Sequence, residues 1–262
     1  MGRLIIQMSS IEKNDSQTMD TLINICHSNL KNSKELVKYL LLDRGLSKEI
    51  VRKYKIGFFP QNLQKLTSFV SESTLMRLNI AETPYRSQFS DYFSLIFPIY
   101  SEYGQAEGIS GRTLLPDLER RGIGIPKYKN SSYKKSDILF GLSGSIDSII
   151  DAQNVYVVEG YFDKIAMDLA GISNAVAICG TAFSQKHFIK LSRYTDRITF
   201  ILDSDDAGQK SMERIYEKYV NKGIKLRFLK TPSPFKDVDE FFKRKSKNEF
   251  EKEFKQIIPG VW

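Results

Sequence analysis

The stretch RITFILDSDDAGQKS, residues 197–211, decides how this chain is read. A short run of β-branched and aromatic residues fits a strand, and the Asp-rich turn with AGQKS behind it fits a helix start. The same texture recurs on both sides. Upstream, VYVVEG (155–160) leads into DKIAMDLAG (163–171), and NAVAIC (174–179) into SQKHFIKLSRY (184–194). Downstream, DAGQKSMERIYEKYV (206–220) is followed by IKLRFLK (224–230) and DVDEFFKR (237–244). Four short apolar strands separated by amphipathic helices predict βαβ units, hence an α/β fold with a mainly parallel four-stranded sheet.

In such a sheet, functional groups gather outside the carboxyl ends of the strands. Glu159 ends the first strand, Asp203 and Asp205 end the third, and Asp237 and Asp239 follow the fourth. Side chains alternate along an extended segment, so each DxD pair can turn two carboxylates the same way. A single acid at a strand end is commonly a turn or cap residue. Five at successive strand ends repel one another and must raise their pKa values or bind cations. Oxygen-only donors favour a hard ion, Mg²⁺ or Mn²⁺, left partly hydrated for phosphates to complete its shell. Asp206 is the expected cap of the helix it opens. Gly160 and Gly208 are either ordinary turn glycines or positions where backbone approaches a phosphate or metal.

The texture before Asn154 is different. Residues 1–20 are polar and aperiodic, which suggests a loosely ordered leader. Apolar residues from Leu22 to Leu41 recur at helical spacing, Gly45 supplies a stop, and Ser47 can cap a second helix. SLIFPIYSEYGQAEGISGRTL (94–114) reads as two strands around a glycine turn. The segment from Arg112 to Lys135 holds seven Lys or Arg against two acids, so +5 of the chain's +8 lies there, and its turn residues suggest a loop. Tyr128 and Tyr133 are interleaved with these charges, a mixture suited to single-stranded nucleic acid, although charge runs are also common on solvated surfaces. A domain boundary is expected near residue 152.

With 262 residues the chain is long enough for one to two domains. No apolar run reaches the ~18 residues of a spanning helix. Two cysteines without a CxxC, and two histidines, leave no plausible zinc site, and a reducing compartment is expected.

Together these segments resemble the catalytic core of bacterial DnaG-type primases, which contains a TOPRIM domain. The TOPRIM part is carried by VYVVEGYFD (155–163), AVAICGTAFS (175–184), ITFILDSDDAGQKS (198–211) and FKDVDEFF (235–242). A primase-specific lobe is carried by LVKYLLLDRGLSKEIVRKYKIGFFP (36–60), IFPIY (96–100), GISGRTL (108–114), PKYKNS (126–131) and ILFGL (138–142).

The resemblance implies a leader (1–20), a mixed α+β primase lobe with a basic groove (21–152), a TOPRIM metal-binding catalytic domain (153–245) and a short C-terminal helix or tail (246–262). It implies that Glu159, Asp203 and Asp205 are catalytic, and that these three with Asp163, Asp237 and Asp239 hold two or more Mg²⁺ or Mn²⁺ ions. Arg112, Lys127, Tyr128, Asn130 and Lys135, with Gly160 and Gly208, match positions that serve template or nucleotide. Asp137 stands where the family often has a basic residue.

The implied activity is synthesis of short RNA primers from NTPs on single-stranded DNA during replication, by a nucleotidyltransferase. A TOPRIM nuclease and a non-catalytic nucleic-acid-binding subunit are the alternatives. The implied setting is the cytoplasm, at the nucleoid or replication fork, or the host cytoplasm for a phage protein. The expected partners are template DNA, NTPs, a replicative helicase and a separate zinc-module or accessory protein, with no membrane. A minimal core of this kind is expected to be either a piece of a longer primase or a compact phage or mobile-element protein.

Overall fold

The computed structural model describes residues 2–180 and 182–258, with side chains described from Asp15 onward. Two compact units divide the chain, one made of residues 1–100 and 105–133 and the other of 101–104 and 134–262.

In chain order the first unit contains α1 (Gly2–Asn29), α2 (Lys34–Lys38), α3 (Lys48–Lys53), β1 (Gly57–Phe58), α4 (Gln64–Thr67), α5 (Glu72–Arg77) and α6 (Gln88–Asp91). It continues with β2 (Leu95–Tyr100), β3 (Ala106–Arg112), α7 (Asp117–Gly122) and β4 (Tyr128–Asn130). The strands form an antiparallel sheet in the order β1-β2-β3-β4. The predicted hairpin is β2–β3, turning through Gly104 at φ +76°. Leu22, Ile23, Phe59, Phe89, Phe93, Ile96 and Ile109 belong to the core of this unit. Gly111 is required by close packing, since a Cβ there would lie 2.3 Å from the Phe93 carbonyl oxygen.

Two expectations change in this unit. Residues 2–20 are helical in α1 rather than a loose leader. Met19, Leu22, Ile23 and Cys26 anchor the helix in the core, and Arg77 grips Asp15 through two bonds of 2.5 and 2.6 Å. Once a helix is nucleated, extending it upstream needs no amphipathic face. The helical pattern up to Leu41 is also interrupted, because Ser33 starts a new helix by accepting the Leu36 N–H. Ser47 caps α3 as expected, through the Ile50 N–H at 3.2 Å.

The second unit opens with a 3₁₀ turn (Lys135–Asp137) and α8 (Ile146–Ala152). The alternation follows: β5 (Val155–Val158), α9 (Tyr161–Leu169), β6 (Ala175–Ala177), α10 (Gln185–Leu191), β7 (Arg197–Ile201), α11 (Asp206–Tyr219), β8 (Lys225–Lys230) and α12 (Val238–Phe242). The chain then adds α13 (Lys247–Glu253) and β9 (Lys255–Ile257). The sheet order is β6-β5-β7-β8-β9, parallel through the first four strands and antiparallel at β9. The fifth strand corrects the four-stranded expectation. KQI is too short and polar to register as a strand, and the aromatic contacts among Phe241, Phe250 and Phe254 bring it into place. Residues 259–262 of the expected tail, and Thr181 of the glycine-containing motif, lie outside the described residues.

The units divide at Tyr133/Lys134 rather than near residue 152. Phe140 pairs with Ala177, and Leu139, Leu142 and Ile149 share a core with Val155 and Val157. A change in sequence texture at residue 154 carries no trace of those contacts.

Candidate active site

β5 and β7 are adjacent and parallel, so their carboxyl ends place Glu159 beside Asp203. The backbone N–H of Asp203 donates to Glu159 Oε2 at 3.2 Å. Glycine makes this approach possible in the next turn. A Cβ on Gly208 would fall 2.0 Å from the Asp203 carbonyl oxygen, so no other residue lets α11 close onto the end of β7. Gly160 precedes α9, and a Cβ there would crowd Asp163 Oδ2 at 2.9 Å.

Three of the acids also cap helices. Asp163 closes the first turn of α9 by accepting the Gly160 N–H at 2.8 Å, and accepts the Asp239 N–H at 3.0 Å. Asp205, rather than Asp206, is the cap of α11, taking the Gly208 N–H at 3.0 Å. The cap lies one residue earlier than expected because the bound N–H is the third beyond it, and Gly208 is the residue held against Asp203. Asp237 caps α12 through the Glu240 N–H at 2.8 Å.

Capping does not disperse their charge. Asp163 is buried and pushed up to about 8, first by loss of water and then by repulsion from Asp237, with Asp203 adding to it. Asp203 is pushed up to about 6 by burial and by repulsion from Glu159, Asp237 and Asp205. Glu159, Asp163, Asp205 and Asp237 are therefore each within electrostatic reach of Asp203. Asp239, whose N–H is bound by Asp163, pairs its carboxylate with Lys243 at 2.9 Å.

Sequence reasoning overlooked Lys236, whose ammonium stands 3.7 Å from Asp203. Its carbonyl accepts the Ser204 N–H at 3.1 Å and the Ser204 hydroxyl at 3.2 Å, which joins the two acid-bearing loops. The signal was the lysine immediately before Asp237, read only as part of the acidic motif.

Among the described residues, no group of three or more His, Cys, Asp or Glu is closed around a single point in metal-coordinating geometry. The donor set nevertheless fits a hard divalent cation. It is made of carboxylates, and their mutual repulsion leaves it short of positive charge.

The expected template and nucleotide residues fall in both units. In the first, Arg112 donates to the Tyr128 hydroxyl at 2.6 Å and lies 5.4 Å from the centre of that ring. Asn130 accepts the Tyr133 hydroxyl at 2.7 Å. Lys127 is exposed, whereas Lys129 pairs with Glu82 at 3.3 Å and Arg120 with Asp117 at 2.7 Å. The segment is only partly the loop expected, because α7 and β4 lie within it: Tyr128 pairs with Arg112 across the sheet. Lys135 lies in the second unit, exposed on its 3₁₀ turn.

A parallel sheet with acids at adjoining strand ends and a DxD-led helix defines the class as TOPRIM-like. Residues 156–242 match the Toprim-like family, and residues 25–145 match the DNA primase catalytic core, N-terminal domain. The chain belongs to the family of bacterial DnaG-type primase catalytic cores. It is 32% identical over 234 residues to the DNA primase of Borreliella burgdorferi, covering 82% of this chain and 43% of that protein. The zinc-binding and RNA polymerase domains of Aquifex aeolicus primase superpose with a TM-score of 0.82 at 26% identity, over 94% of this chain and 62% of that one. A DnaG primase catalytic domain bound to single-stranded DNA gives 0.78 at 27% identity, over 94% and 81%. The chain spans less than half the length of its curated relatives from Borreliella burgdorferi and Aquifex aeolicus.

Proposed function

We propose that this chain is the polymerising core of a DNA primase, a nucleotidyltransferase that makes short RNA primers from NTPs on single-stranded DNA. The observation that carries the reading is the repelling acid cluster around Asp203, kept in a chain that also matches the primase-specific N-terminal domain. A scaffold has no need to hold buried carboxylates against their own repulsion.

Glu159, Asp163, Asp203, Asp205 and Asp237 would hold Mg²⁺ or Mn²⁺, with Asp239 joining them on release from Lys243. When bound, such ions neutralise charge on the phosphates and make a hydroxyl easier to ionise. The chain's own residues do the rest. Asp203 and Glu159 are held close enough for their carboxylates to repel, and the Asp203 N–H ties Glu159 to the end of β7. Glu159 is the candidate proton acceptor for the 3′-OH that attacks the α-phosphate, with pyrophosphate leaving. Arg112, Lys127, Tyr128, Asn130 and Lys135 would contact template or nucleotide through phosphate and ring faces, and Gly160 and Gly208 would let backbone come near phosphate. A replicative helicase and a zinc-module partner would supply template engagement, with the replication fork in the cytoplasm as the setting. Among the described residues no helix is long and apolar enough to cross a membrane.

The test is incubation with single-stranded DNA, labelled NTPs and Mg²⁺ or Mn²⁺. Labelled oligoribonucleotides support the reading, whereas shortened DNA without them identifies a nuclease.

A further inference from the structure

Lys135 sits on a turn that has little means of holding itself. Its internal bonds are those of Asp137 N–H to the Lys134 carbonyl, 2.9 Å, and Ile138 N–H to the Lys135 carbonyl, 3.1 Å. Yet three successive carbonyls of this turn are each taken by a different side chain of one short segment. His187 Nε2 reaches the Lys135 carbonyl at 3.3 Å, Ser184 Oγ donates to that of Ser136 at 2.6 Å, and Lys190 Nζ donates to that of Asp137 at 2.6 Å. Lys186 completes the set by pairing with the Asp137 carboxylate at 2.7 Å. All four donors belong to α10 or its cap.

The chemistry of His187 is fixed by its neighbours. Its side chain is fully buried, with Phe183 against the ring at 5.7 Å. Nδ1 accepts the Ser184 N–H at 3.2 Å, so in the neutral ring the proton resides on Nε2, which must donate to Lys135. Ser184 Oγ in turn accepts the His187 N–H at 3.0 Å while donating to Ser136. The helix cap and the grip on the turn are thus one hydrogen-bonded unit, in which neither half can shift alone.

We infer that α10 splints the 135–137 turn and that His187 is a positioning residue for Lys135, whose outward ammonium meets a phosphate of the incoming nucleotide. This rests on the polymerase reading above. Among the described residues the Lys135 ammonium is in no ion pair, while the acidic residue two places on is neutralised by Lys186. A lysine is a point charge on a flexible stem, so its usefulness depends on where its backbone is anchored. Fixing three carbonyls sets that origin before the nucleotide arrives.

The experiment is a double-mutant cycle in primer extension with the full chain, reading kcat and KM for NTP. His187→Ala and Lys135→Ala should each lower kcat/KM, by about tenfold or more, and the double variant should be no worse than Lys135→Ala within about twofold. His187→Gln, which keeps a donor for the carbonyl, should recover part of the loss. Lys190→Met leaves the cap of α10 untouched and serves if His187→Ala does not fold; its loss should likewise disappear in the Lys135→Ala background. Losses that multiply in the double variants overturn the inference. Full activity of Lys135→Ala, with Asp203→Asn inactive, also overturns it and leaves the polymerase reading intact. Full activity of Asp203→Asn shows that the polymerase reading itself fails.

Discussion

The Glu159 carboxylate and the Asp203 backbone N–H are joined at 3.2 Å across the ends of two parallel strands. The bond uses the main chain of Asp203 and leaves its side chain to face the other acids. Replacing that side chain therefore changes charge without untying the strands. Asp203→Asn should fold normally and lose primer synthesis by about two orders of magnitude or more. Its metal-free thermal stability at neutral pH should hold or rise, because repulsion is relieved. Calorimetry and a primer-synthesis gel check both halves, and near-normal synthesis would falsify the assignment of Asp203.

The pH dependence of metal-free stability follows from two acids. Asp163 is pushed up to about 8 and Asp203 to about 6, each above the ~3.9 of an unfolded aspartate. Between those values the folded chain keeps protons that the unfolded chain has released. The stabilising contribution is complete below the unfolded value and is lost as pH rises through 6 and then 8. On the proposed function a divalent cation would take over from those protons, so the rise in Tm on adding Mg²⁺ should be larger at pH 8 than at pH 5.5. An equal rise at both would mean that magnesium acts elsewhere.

Gly208→Ala probes packing rather than charge. With the Asp203 carbonyl oxygen 2.0 Å from the new methyl, α11 must move away from β7. Soluble yield and Tm should fall, and synthesis should be lost even where folding is rescued by lower temperature. Ala at Gly171, where nothing lies within 4 Å, is the control for glycine replacement by itself, although its φ of +75° carries backbone strain.

On the basic side, Lys127→Ala should weaken single-stranded DNA or nucleotide binding and lower the salt slope by roughly one. Arg112→Ala should weaken binding further, since it also removes the contact that orients Tyr128. Lys218→Ala, on an exposed face of α11, should change neither affinity nor slope. Equal effects at all three positions, measured by fluorescence anisotropy over a salt series, would reduce the segment to bulk charge.

The acidic strand ends were legible because they follow a period-two pattern and fall where an open parallel sheet presents its chemistry. The same simplicity hid the helix caps made by Asp163, Asp205 and Asp237, since a cap and a proposed cation ligand share one residue type. The Phe140–Ala177 pairing was illegible, as its partners are far apart in sequence and carry no turn signal. The α10 splint escaped for a related reason: its acceptors are backbone carbonyls, which every sequence has. β9 owes its place to phenylalanines on α12 and after α13, so its own three residues hold almost no information.

The short pairings at both flanks of the parallel sheet have a consequence for solubility. An unpaired outer strand offers a row of amide and carbonyl groups to any other extended chain. At β6, the Phe140 N–H donates to the Ala177 carbonyl at 2.9 Å, the Phe140 carbonyl accepts the Ala177 N–H at 3.0 Å, and Ser145 Oγ donates to the Ala175 carbonyl at 3.0 Å. At β8, β9 covers Phe228 to Lys230, and the remaining half carries Lys225 and Arg227. The outer strand on that side is then β9, three residues long and led by Lys255, a short and charged edge that offers little template for intermolecular strand addition. A truncation before Phe254 would bare half of β8, including the apolar Phe228 and Leu229, and favour self-association through that margin.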